Sequence, residues 1–117
     1  MTAPDPSPFR VTSHNAGTAV VVEVAGEVDL STADDVAAAV TAGLASRPSA
    51  VVLDLTGVSF LDSAGLAVLA RGHLAAVDGV EFRVVAGNEA VLKPIQLTGM
   101  DQMLAMFGSV AEATDSA

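Results

Sequence analysis

The chain has 117 residues, is 51% hydrophobic, and carries a formal net charge of -9 with five basic residues and no cysteine. That length suits one compact core in a single domain, and the charge sets the chain against nucleic-acid backbones and acidic membrane surfaces while favouring a partner with a basic face. Without cysteine there are no disulfides and no thiolate metal sites, which agrees with a cytoplasmic location.

Met1 to Pro8 contains Pro4, Pro6 and Pro8 and reads as a disordered lead-in over 1-8, without the basic and apolar regions of a signal peptide. Phe9 to His14 alternates loosely, Asn15-Ala16-Gly17 is a turn, and Thr18 to Val24 is rich in valine, so an antiparallel hairpin is expected. Gly26-Glu27-Val28-Asp29 reads as a bend. Ser31 and Asp34 have the spacing of a capping box, and Ala33, Val36, Ala37, Val40 and Leu44 form an apolar stripe. A first helix is expected from about Thr32 to Ala45.

Ala50 to Leu55 lacks the alternation of a half-exposed strand and is expected to be a central strand buried on both faces. Thr56 and Gly57 interrupt it, Val58 to Leu61 continues apolar, and Asp62-Ser63-Ala64-Gly65 supplies capping side chains ahead of a helix. Leu66, Leu69, Ala70, His73, Leu74 and Val77 recur at steps of three and four and are expected to share its buried face. That helix should run from about Ser63 to Asp78, with Gly79 in the left-handed C-terminal position.

Glu81 to Val85 is a further short strand, and Asn88 caps a helix over Glu89 to Leu97 in which Pro94 predicts a kink or a restart. Met100 to Phe107 reads as a short apolar helical piece, followed by Val110 to Ala113 and a frayed tail over 114-117. Strands alternating with helices predict an α/β domain over 9-113, a single layer of mixed sheet with about four to five strands and interleaved helices. No apolar run approaches membrane-spanning length.

Enzyme chemistry is poorly served. There is no glycine-rich loop with Lys and Ser or Thr, so a Walker-type phosphate cradle is excluded. Ser63 is not flanked by glycines in the nucleophile-elbow pattern, and the only histidines, His14 and His73, fall on the hairpin edge and on a helix stripe. Asp34 and Asp35 are adjacent at a helix start, no carboxylate has metal-ligand spacing with a histidine, and a solvated acidic face without metal or cofactor is expected.

Asp54-Leu55-Thr56-Gly57-Val58-Ser59-Phe60-Leu61-Asp62-Ser63-Ala64-Gly65-Leu66 resembles the signature of the STAS domain, named for sulphate transporters and anti-sigma factor antagonists. Gly26-Glu27-Val28-Asp29 upstream and Leu97-Thr98-Gly99-Met100 downstream extend the resemblance over roughly Phe9 to Ala113. It implies a STAS-like fold and, for the stand-alone bacterial members this chain looks like, an anti-sigma factor antagonist acting in transcriptional stress control rather than an enzyme. The implied partner is an anti-sigma factor that is also a serine kinase of the histidine-kinase-like ATPase type, with a phosphatase for reversal. Ser63 is by that resemblance the phosphoacceptor and Asp62 its flanking acid, with Glu27, Asp29, Ser31, Ala64 and Gly65 on the partner-facing rim. Ala64 stands where the family often has Ser or Thr, which removes a second hydroxyl from the motif.

Read from its position alone, Ser63 is a helix cap. Two further readings follow: a STAS scaffold that is not phosphorylated, for instance beside a transporter ATPase, and an enzyme with Ser63 as nucleophile, which needs a histidine next to the helix start.

Overall fold

The computed structural model describes residues 8–76 and 79–115, so the expected lead-in, apart from Pro8, and the end of the expected tail lie outside the described residues. Arg10–Ala16 (β1) and Ala19–Val28 (β2) form the expected antiparallel hairpin, turned through Gly17 at φ +62°. Ala33–Ala45 (α1), Ala50–Leu61 (β3), Ser63–Ala75 (α2), Glu81–Val85 (β4), Glu89–Leu97 (α3), Ala105–Phe107 (β5) and Val110–Thr114 (α4) follow, with a 3-10 turn at Met100–Gln102. The strands lie side by side in the order β1-β2-β3-β4-β5, and every pairing after the hairpin is parallel. The α/β class and the mixed sheet are as expected.

β3 is the central strand, and it is longer than the apolar run suggests. Thr56 and Gly57 do not interrupt it; they belong to the first of two bulges against β2, where Glu23 pairs with Asp54 but Ala25 pairs with Gly57. The Asp54 carboxylate accepts from the Thr56 backbone N–H at 3.0 Å and its hydroxyl at 2.8 Å, using local bonds where the ladder is broken. A second shift, between Gly26 and Glu27, gives the buried positions Leu53, Leu55, Val58 and Leu61 a spacing of two, three and three. The bulges thus keep the far half of the strand facing the same core. Gly26, at φ +93°, carries β2 through the second shift, so the expected bend is a distortion inside a strand.

One core lies between the sheet and α1, α2 and α3, with Val36, Val40, Val68, Leu69, Val91 and Ile95 on Leu53, Leu55 and Val84. The smaller core on the opposite face has Ala113 of α4 over Val21, Val52 and Val85. Arg83 of β4, only 5% exposed, belongs to this second face. Its Nη1 donates to the Ala113 carbonyl at 2.6 Å, its Nη2 pairs with Glu81 at 3.0 Å, and the guanidinium lies 5.5 Å from the centre of the Phe107 ring.

Several expectations are corrected. α2 buries Gly65, Val68, Leu69 and Gly72, a face rotated from the expected stripe, and leaves Leu74 78% exposed. Glycines bring this helix down onto the sheet: a Cβ on Gly65 would stand 2.3 Å from Leu61 Cδ1. α2 also ends at Ala75, because Ala76 is already extended, so Gly79 (φ +83°) is not its cap, and Val77 and Asp78 lie outside the described residues. α3 continues through Pro94 without restarting. Proline inside a helix costs about 3 kcal/mol, whereas burying Val91 and Ile95 completely gains about 1.5–3 kcal/mol each, so packing holds the helix together. The expected helical piece at Met100 to Phe107 is a 3-10 turn followed by β5, which gains its ladder bonds only by pairing with β4.

Candidate functional site

Val28 and Leu61 are register partners at the ends of β2 and β3, and the Asp62 N–H donates to the Val28 carbonyl at 3.2 Å. Asp29 and Asp62 therefore stand side by side, each the first residue beyond its strand and each at the start of a crossover to a helix. Open α/β sheets place ligand and partner sites along this carboxyl edge.

The two aspartates bind different groups. Asp62 caps α2, its carboxylate accepting from the N–H groups of Ala64 at 2.8 Å and Gly65 at 3.3 Å. The Asp29 carboxylate accepts from the Ser31 N–H at 2.9 Å and the Ser31 hydroxyl at 2.7 Å, with the Thr32 hydroxyl at 3.3 Å. These bonds, Ser31 first, hold the Asp29 carboxyl below the usual carboxylate range. The expected capping box between Ser31 and Asp34 is not formed, because Ser31 is occupied by Asp29 and the N-cap position belongs to Thr32. Thr32 makes no cap bond either: its hydroxyl lies 2.8 Å from the Glu27 carbonyl, its shorter donor contact, and accepts from the Asp29 N–H at 3.0 Å.

Ser63 is exposed at the first position of α2, and its hydroxyl has no hydrogen-bond partner among the described residues. The capping role that position alone suggests for Ser63 is performed by Asp62. Glu27 and Ser31 are exposed nearby, Asp29, Asp62 and Ala64 are half-buried, and Gly65 is buried. Gly65 serves the rim from beneath: a side chain there would press on Leu61 and on Val28 Cγ1, the residues that end the two strands.

Sequence reasoning missed three contributors. Leu30, 85% exposed, follows Asp29, and Phe60, 48% exposed, is the register partner of Glu27. A leucine between Asp29 and Ser31, outside any apolar stripe, was the available signal for the first; the bulge that turns Phe60 outward left none. Asn88, expected only as the α3 cap, accepts from the Val91 N–H at 3.1 Å and also donates to the Val58 carbonyl at 3.0 Å, tying a third loop to this edge.

No histidine serves Ser63 as a base. His73 is in the last turn of the same helix, about 15 Å along its axis at 1.5 Å per residue. His14 pairs across β2 with the level of Val52, about 30 Å down β3 from Leu61, where it contacts Glu23 at 3.3 Å. The edge offers an exposed hydroxyl at a helix start among carboxylates, with neither histidine in reach of it.

Residues 10–113 match the family model of the STAS domain. The chain belongs to the STAS domain family. This STAS domain is 36% identical over 113 residues to the anti-sigma-F factor antagonist RsfB of Mycobacterium tuberculosis, a match covering 97% of this chain and 91% of that protein. It is similar to the crystal structure of an anti-sigma factor antagonist from Mycobacterium paratuberculosis, with TM-score 0.89, 34% identity, and coverage of 99% of this chain and 97% of the other. The phosphorylated form of the Bacillus protein SpoIIAA shares the fold at TM-score 0.63 and 16% identity, covering 93% of this chain and 98% of the other. No helix among the described residues is long and apolar enough to cross a membrane.

Proposed function

We propose that this STAS domain is an anti-sigma factor antagonist that works by partner switching. Unmodified, it binds an anti-sigma factor, a serine kinase of the histidine-kinase-like ATPase type, and so releases a sigma factor to RNA polymerase in the cytoplasm. Phosphorylation of Ser63 by that kinase ends the association, and a phosphatase restores it. The observation that carries this reading is the exposed Ser63 hydroxyl, without a partner among the described residues, at a helix start capped by Asp62 and beside the Asp29 loop. The named function of RsfB, at 36% identity over nearly the whole chain, supports the same class of partner.

The switch follows from charge. A phosphoserine adds about -1.5 to -2 charge and three acceptor oxygens. At position 63 these join the carboxylates of Asp62, Asp29 and Glu27, so a partner surface shaped for a neutral hydroxyl meets a bulky dianion. ATP, magnesium and the catalytic base belong to the kinase, and this chain supplies the acceptor and the recognition face. Intact-mass analysis after incubation with a candidate anti-sigma kinase and ATP tests the reading: one phosphate on the wild type, none on Ser63→Ala, and retained kinase binding by the variant. Binding without phosphate on either protein would favour the fixed-scaffold reading instead.

A further inference from the structure

The facing surfaces of α1 and α2 do not fill the space between them. On α1, Ala37, Val40, Thr41 and Leu44 fall at steps of three and four, and on α2, Val68, Arg71, Gly72 and Ala75 do the same. Ala37, Thr41, Gly72 and Ala75 are too small to meet across the gap, and a groove of about 430 Å³ remains, with Val40, Leu44 and Val68 in its lining. It runs on past Thr41, Leu44 and Ala75 to Arg47, and the exposed Leu74 lines it too.

Charge distinguishes this groove from the rest of the surface. The chain has fourteen acidic residues and only five basic ones, yet two of the five, Arg71 and Arg47, border the groove, and among the described residues no acid lines it. Arg71 is exposed and has no ion pair or hydrogen bond among the described residues. An apolar trough of ligand-pocket size with a cation in its wall and few other polar groups selects an apolar body with one anionic head. A guanidinium matches the two oxygens of a carboxylate in a bidentate pair. We propose that the α1–α2 groove binds an aliphatic carboxylate, its chain seated on Val40, Leu44 and Val68 and its head paired with Arg71. This site is separate from the Ser63 edge and does not depend on the function proposed for it.

Titration of the full chain with decanoate, below its micelle concentration and followed by amide NMR, tests the proposal; with neither Trp nor Tyr, intrinsic fluorescence offers little signal. Saturable one-to-one binding is expected, with shifts concentrated over residues 37–44 and 68–75. Arg71→Glu, with unchanged circular dichroism, should weaken binding at least tenfold, and decanol should bind more weakly than decanoate. Ala37→Trp, which fills the trough and leaves Arg71 in place, should also weaken it. An absence of saturable shifts, shifts centred elsewhere, or equal affinity for wild type and Arg71→Glu would each overturn the proposal. So would sedimentation showing that the groove is covered by a second copy of the chain.

Discussion

Gly72 of α2 lies against the ring of Phe82 in β4: a methyl group on that glycine would stand 2.6 Å from Cζ and 2.8 Å from Cε1. That methyl would meet three atoms of a stiff, buried ring at under 3.0 Å, whereas on Gly65 the atom met most closely is the end of a Leu61 side chain. Overpacking costs about 1–3 kcal/mol, and replacing glycine by alanine inside a helix returns about 1. Gly72→Ala should therefore destabilise the fold by more than Gly65→Ala, as urea denaturation would show; the reverse order would mean that α2 is anchored mainly at its N-terminus.

Asp62 and Ser63 should separate stability from signalling. Asp62→Ala removes the side chain that caps two amides and should cost about 0.5–2 kcal/mol. Ser63→Ala removes an exposed hydroxyl that has no partner among the described residues and should change stability by no more than about 0.5 kcal/mol. Thermal unfolding of the two variants checks this, and an equal loss in both would show that the Ser63 hydroxyl is bonded in solution.

The Asp29 loop should respond to acid late. A carboxyl whose folded pKa is depressed contributes stability that is complete above its unfolded value and lost as pH falls through the folded one. With Ser31 and Thr32 lowering the Asp29 pKa from its ordinary 3.8, the loop should stay formed through neutral and mildly acidic solution and loosen only below that value. The Ser31 amide resonance, followed against pH, should move with a midpoint under 3.8. A midpoint at or above it would deny the bonds from Ser31.

Phosphorylation of Ser63 should alter the face and leave the fold alone. A helix N-terminus favours a phosphate by about 0.3–1 kcal/mol, and the carboxylate of Asp62 opposes part of that gain at an exposed, screened position. The phosphorylated protein should melt within a few degrees of the unmodified one with the same circular dichroism. Its affinity for the kinase should fall at least tenfold, about 1.4 kcal/mol. Lost helix signal would mean that Ser63 governs folding instead.

Association with a basic partner should slow as salt rises, since a chain of net charge -9 is steered by long-range attraction. Stopped-flow rates that do not change with ionic strength would remove that steering.

What the sequence made legible is what local chemistry decides. The buried run of β3, the aspartate and asparagine caps at 62 and 88, and the exposed serine after Asp62 each follow from a residue and its near neighbours. The misses depend on distant partners. β5 is three residues long and exists by pairing with β4, and Met100 to Phe107 carries no sign of that. The buried face of α2 was misplaced because glycine adds nothing to an apolar stripe, although Gly65 and Gly72 are where the helix lies closest to its neighbours. The exposure of Phe60 on the rim appears only once the bulges of β3 are known.

Arg83 fastens the last helix through a main-chain oxygen, the Ala113 carbonyl, which every amino acid carries. The grip is thus indifferent to spelling and strict about distance. Along the C-terminal segment, substitutions at an exposed position such as Ala111 should drift freely between relatives. An inserted or deleted residue between Phe107 and Ala113 would instead carry the oxygen off its mark and leave the buried Nη1 of Arg83 unpaired, with Glu81 alone holding the guanidinium.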